Sequence, residues 1–168
     1  MSDETFTIRP VRPEEYSTLG QLILDSYNAL PGRVPEPEYD VQLLDVGGRV
    51  ADGVDVLVVV NAANEVVGGV TYVGDPSSPY MEIDDPDAAS FRHMAVAVAA
   101  QGHGLGALMV EWVIASARRD GRRRIRMHSG EWMHGAHRLY ERMGFVRLPH
   151  IRHINDEVRL YEYLLELQ

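Results

Sequence analysis

Gly102, Gly104 and Gly106 take alternate positions in "AVAAQGHGLGALMVEW" and lead directly into an apolar stretch with helical spacing. A helix N-terminus presents unpaired N–H groups and a partial positive charge, so it attracts phosphate. Glycines in the preceding turn let the backbone approach an anion with no Cβ in the way and reach positive φ. A tight strand-to-helix turn needs one glycine; this spacing points instead to a pyrophosphate cradle. "GHGLGA" also satisfies the dinucleotide fingerprint G-x-G-x-x-G/A. That fingerprint normally opens its domain and is followed, about twenty residues on, by an acid that binds ribose. Here the glycines lie past the middle of the chain, and "RIRMHS" offers no acid. A nicotinamide-dinucleotide module is therefore the weaker reading.

Composition narrows the chemistry further. The chain has no cysteine, which removes thiolate nucleophiles, disulfides and Cys-based metal sites and is compatible with a cytoplasmic protein. All 16 basic residues are arginine, which excludes a Walker-type phosphate loop and lysine Schiff-base chemistry. A formal charge of -9 argues against a nucleic-acid partner and fits a small or cationic substrate. The longest apolar run, Val54 to Val60, is broken by Asp55 and is far too short for a membrane span. "MSDETFTIRP" lacks the basic and apolar segments of a signal peptide. His134 and His137 are one helical turn apart without an evident third ligand, so no metal is expected.

The elements that must position the glycines follow from periodicity. "TFTIRPV" reads as a first strand, and Leu19, Leu22, Ile23, Ser26, Tyr27 and Leu30 form the stripe of an amphipathic helix. "PGRVPEPE" stops it, and a short helix over about 39–45 ends at Gly47 and Gly48. "VDVLVVV", "NAAN" and "EVVGGVTYV" signal an antiparallel hairpin. A loop carrying Asp75, Glu82, Asp84, Asp85 and Asp87 with no basic residue precedes the strand "SFRHMAVAV". Then come the glycines, a helix over about 104–118, the strand "RRIRMHS", the short helix "HGAHRLYERM", and terminal strands "FVRL" and "VRLYEYLLEL". This order predicts one α+β domain over 1–168, with a single β-α-β crossover centred on the glycines.

With Gln101 included, Q-G-H-G-L-G resembles the acetyl-CoA loop of the GCN5-related N-acetyltransferase (GNAT) family, Q/R-x-x-G-x-G/A. "FRHMAVAVAAQGHGLGALMVEWVIASARRDG" is similar to that family's strand, loop and helix. "AHRLYERMGF" is similar to its later helix, with Ala136, Tyr140 and the Gly144–Phe145 ending at the expected spacing. "TFTIRPVRPEE" is similar to its first strand and turn, so the likeness spans essentially the whole chain. The chain departs from the family pattern at three points. Val98, Ala99 or Ala100 stands where a proline is common, Met133 where an asparagine is common, and Ala88 and Ala89 where a glutamate is common. The resemblance implies a mixed, mostly antiparallel twisted sheet flanked by helices, its central strands splayed around acetyl-CoA.

The resemblance also implies roles. The amides of Gly102, His103, Gly104, Leu105, Gly106 and Ala107 would hold the pyrophosphate, with Gln101 a further cofactor-binding residue of the loop. Met94 and Val96 would pair with the pantetheine arm, the Val96 N–H polarising the thioester carbonyl, and Arg142 is a further cofactor-binding candidate. Tyr140 would be the general acid, since a phenol with a pKa of about 10 can protonate a thiolate of about 8.5. An alkylammonium of pKa about 10.4 must lose a proton before it attacks. Glu82 is the first candidate base, directly or through water, with Asp84, Glu131, His93 and His128 as rivals. The acidic loop favours a small cationic amine acceptor by its local field. With no cysteine to carry an acyl-enzyme, attack would be direct, in a ternary complex. A catalytically silent acyl-CoA-binding domain remains the alternative, an aminoacyl-tRNA acceptor is disfavoured by the net charge, and a homodimer is left open.

Overall fold

A computed structural model describes residues 4–168 of the chain. Seven strands form one sheet: β1 (Thr7–Pro10), β2 (Asp55–Val60), β3 (Val66–Val73), β4 (Ala88–Val96), β5 (Arg124–Gly130), β6 (Val146–His153) and β7 (Arg159–Glu166). Five α-helices accompany them: α1 (Tyr16–Asn28), α2 (Pro37–Leu44), α3 (Val46–Ala51), α4 (Leu105–Arg119) and α5 (His134–Arg142). The strand order is β1-β2-β3-β4-β5-β7-β6. Every neighbouring pair is antiparallel except β4 and β5. This is the α+β sheet implied by the sequence, and it is not the parallel sheet of a dinucleotide-binding domain.

β2 reads as a continuous apolar run because both of its faces are covered. Val56, Val58 and Val60 pack with Leu19, Ile23 and Tyr27 of α1. Leu57 and Val59 join Leu105, Met109 and Val113 of α4 on the opposite face, together with Tyr140, Phe145 and Tyr163. The α1 stripe is buried at Leu19, Ile23 and Tyr27, as its spacing predicts. Gly47 and Gly48 do not end a helix; they lie inside α3. The Asp45 side chain caps α3 by accepting from the Gly48 N–H at 3.0 Å, and a Cβ on Gly48 would sit 2.2 Å from that carboxylate. Here the glycine allows a close approach.

Strands β4 and β5 touch at two residue pairs only, Ala88↔Arg124 and Ala89↔Ile125, and then part. Each continues on its outer side, β4 with β3 and β5 with β7 along its whole length. A clamp sits at the closed end of the opening. Asp85 accepts from both Arg124 and Arg126 at 3.2 Å, and the Asp87 carbonyl accepts from the Arg123 N–H at 2.8 Å. Arg122 also donates to the Gly74 carbonyl at 2.8 Å. Burial alone would raise the Asp85 carboxyl, but the Asp87 N–H and the two guanidinium groups hold it below its ordinary range. A lowered native value means that this stabilisation is complete at neutral pH and disappears as pH falls through that value. Asp85→Asn is expected to cost about 1.5–3 kcal/mol at pH 7 in a denaturant titration. The deficit should shrink as the wild type is acidified below about pH 4.

Candidate active site

The segment leading to α4 leaves its donors free. A short turn at Val98–Ala100 forms without proline, and Gly102 and Gly104 adopt φ of +87° and +74°, with Gly104 as the helix N-cap. None of the six amides from Gly102 to Ala107 donates to a protein backbone acceptor among the described residues. A Cβ on Gly102 or Gly104 would meet no protein atom within 4 Å, so both glycines border open space. Gly106 serves another purpose: its missing Cβ makes room for the Leu139 side chain, which packs α5 beside the loop. The His103 ring turns away from the cradle, with Nδ1 3.0 Å from the Ala100 carbonyl and Nε2 3.3 Å from Glu4. An anion such as a pyrophosphate suits unpaired donors at a helix N-terminus.

The same loop follows directly from β4, which carries a β-bulge. The register passes from Gly69↔Ala95 to Thr71↔Arg92, so His93 and Met94 together face Val70, and His93 takes φ +54°. Beyond the bulge the Ala97 N–H donates to the Val67 carbonyl at 2.8 Å. Alternation along the strand then turns the Val96 and Met94 amides away from β3, towards the gap beside β5. The Val96 carbonyl on that side accepts from Ser26 Oγ at 3.1 Å. These backbone groups border an opening suited to a strand-like ligand.

A cavity of about 290 Å³ occupies the gap, lined by β4, β5, the α1–α2 connection and the β6–β7 connection. Tyr140 is 4 % exposed, in edge contact with Phe91 and Tyr163, and also lines this cavity. Its hydroxyl has no protein hydrogen-bond partner among the described residues and is not sealed from the cavity. Burial raises its pKa, with the neighbouring Tyr163 adding to the effect, so the phenol stays protonated at neutral pH. Tyr27 and Tyr39 also line the cavity, and burial raises both phenols.

The candidate bases separate clearly. Glu82 lines the cavity, but its carboxylate is committed to Arg92 at 2.8 Å and to His128 Nδ1 at 3.1 Å. Burial raises this carboxyl, yet the His128 hydrogen bond and the Arg92 charge outweigh it and leave the pKa lowered. A carboxylate so stabilised is a weak direct base. His93 is neutral because burial, and then the Arg49 and Arg92 charges, push its pKa well down. Its Nε2 is sealed inside the protein without a partner among the described residues. Asp84 is exposed and outside the lining, and Glu131 pairs with Arg159 at 2.9 Å. His128 lines the cavity beside Glu82.

The acidic loop is less free than its composition suggests. Asp75 closes its own turn with Ser77, Asp85 holds the clamp, and Glu82 is paired. One carboxyl that sequence reasoning missed is Glu36, which lines the cavity between α1 and α2. Burial raises its pKa, Arg33 opposes that, and it has no ion-pair partner among the described residues. The proline-rich "PGRVPEPEY" signalled only the end of a helix. His137 is buried, with Nε2 3.1 Å from Ser129 Oγ. Arg142, exposed in the last turn of α5, lies outside the cavity lining. No group of three or more potential metal ligands occurs among the described residues. Nor does any described helix have the length and apolarity to cross a membrane.

Known proteins share this fold. The chain superposes on yncA of Salmonella typhimurium, solved with its cofactor acetyl-CoA, with a TM-score of 0.69 and 20% identity, over 97% of this chain and 94% of that one. A GCN5-related N-acetyltransferase from Kribbella flavida gives a TM-score of 0.72 and 22% identity, over 96% and 98% of the two chains. A ribosomal-protein-alanine N-acetyltransferase from Brucella melitensis gives 0.69 and 19%, over 96% and 99%. No curated protein matches the chain in sequence. Residues 20–145 match the model of the acetyltransferase (GNAT) family, whose donor is acetyl-CoA, and the chain belongs to that family.

Proposed function

We propose that this acetyltransferase moves the acetyl group of acetyl-CoA to a small primary amine, cationic in solution, by direct attack while donor and acceptor are bound together. The observation that carries this reading is the run of six unpartnered amides at the mouth of the β4–β5 gap. In it, the amides of residues 102–107 take the pyrophosphate, with Gln101 and Arg142 at its borders. The backbone of Met94 and Val96 aligns the pantetheine arm, and the Val96 N–H polarises the carbonyl. Acetyl-CoA supplies the activated thioester. Tyr140 donates its phenolic proton to the departing sulfur.

The acceptor's charge is inferred from the cavity's own balance. Arg33 pairs with Asp40 and Arg92 with Glu82, which leaves the Glu36 carboxyl to meet a cation. Tyr27, Tyr39 and Trp132 supply aromatic walls for the rest of the molecule. The proposal extends to one domain over 1–168 acting in the cytoplasm, in keeping with a chain free of cysteine.

Thiol release from acetyl-CoA across a panel of primary amines tests the reading. Tyr140→Phe should lower kcat about 100-fold or more while acetyl-CoA binding is unchanged. If acetyl-CoA binds and no amine supports turnover, the domain is a silent acyl-CoA binder. Gly104→Ala should weaken acetyl-CoA binding about tenfold by calorimetry, because its Cβ would stand on the ligand side. The same change should cost only about 1–2 kcal/mol of stability, from the left-handed backbone.

A further inference from the structure

We propose that His128, held by Glu82, is the base that takes the acceptor's proton. This deepens the acetyltransferase reading, on which it rests, by assigning the step for which Glu82 itself is unsuited. Nδ1 of His128 lies 3.1 Å from Oε2 of Glu82. An ionised carboxylate only accepts hydrogen bonds, so the proton of the neutral ring sits on Nδ1 and the lone pair on Nε2. Glu82 stays ionised because Arg92 holds its other oxygen at 2.8 Å. Nε2 has no hydrogen-bond partner among the described residues, yet it is not sealed, unlike the corresponding nitrogen of His93. The ring lines the cavity, as Tyr140 does. One histidine therefore offers a free lone pair to the acceptor space, with its tautomer fixed from behind.

The His128 ring has a carboxylate near each of its nitrogens. Oε1 of the buried Glu162 on β7 lies 3.9 Å from Nε2, so the imidazolium falls between two carboxylates. Glu162 is itself held by Arg126 on β5 at 2.8 Å and by His150 on β6 at 3.1 Å. Arg152 on β6 acts on Glu82 from the other side and Arg92 from β4. His150 is mostly exposed, with a side-chain accessibility of 57 %, so Glu162 links the ring to the surface.

The proton count closes. An ammonium R–NH3+ gives one proton to Nε2, and the freed lone pair forms a C–N bond with the thioester carbonyl carbon. The C–S bond breaks, and the sulfur takes the Tyr140 proton. A second proton from the nitrogen restores the phenol, and the imidazolium releases its own proton to solvent. The products are an amide, a thiol and one proton.

His128→Gln separates this role from a structural one. With acceptors of pKa about 10, kcat near pH 7 should fall about 100-fold or more while acetyl-CoA affinity is unchanged. The deficit should shrink for weakly basic amines, which arrive already uncharged, and as pH rises. Glu82→Gln should show the same dependence to a smaller degree. A loss uniform across acceptor basicity and pH, or a wild-type rate, overturns the assignment. Nitrogen-15 NMR of the wild-type chain at pH 8 gives a test that needs no acceptor. A proton on Nδ1 and a bare Nε2 at His128 support the assignment, and a proton on Nε2 overturns it. A wild type inactive on every amine counts against the acetyltransferase reading, while the NMR result still decides the tautomer.

Discussion

Two adjacent strands that cannot stay paired govern this molecule. β4 is bound to β3 on one side and β5 to β7 on the other, while their own contact ends after Ala89↔Ile125. A sheet parted at its centre leaves backbone donors and acceptors without their usual partners, a costly condition unless something else meets them. A ligand with amide groups of its own and an extended shape can satisfy that need. Binding is thus built into the fold as an unfinished piece of sheet, and the cavity, the bulge and the glycine loop are arranged around it.

Small local devices keep the opening in shape. The Asp85 pairs with Arg124 and Arg126 hold the closed end, and two consecutive residues, His93 and Met94, set against Val70 re-aim β4 just before the gap. At the wide end, left-handed Gly102 and Gly104 turn the chain into α4 with its first amides outward. Gly106 lets Leu139 bring α5 alongside. α5 carries Tyr140, so the spacing of the glycines also sets where the phenol stands.

The parts visible in the sequence were those set by neighbours along the chain. The α1 stripe, the β2–β3 hairpin, the glycine loop and the α5 helix all depend on periodicity or turn chemistry, and each appears with shifts of a residue or two. Residues joined only by the fold were harder to judge. Asp85 lies in the acidic loop and Arg124 and Arg126 in a strand, and their pairing spans about forty positions of sequence. Glu82 is paired with Arg92 and His128, the second of which lies on a strand far along the chain. Glu36 lay hidden in a stretch whose prolines announced only a break. A carboxylate's chemistry depends on what it faces, and periodicity does not encode that.

The cations around the cavity share one property. Arg33 and Arg92 line it, Arg124 and Arg126 brace its vertex, and the chain contains no lysine anywhere. A guanidinium stays protonated at any physiological pH and offers no lone pair for acyl transfer. A lysine at the same positions would place a primary amine, a nucleophile that thioesters acylate, within reach of an activated thioester. By building its ion pairs from arginine alone, the protein gives the donor no competing nucleophile among its own side-chain cations.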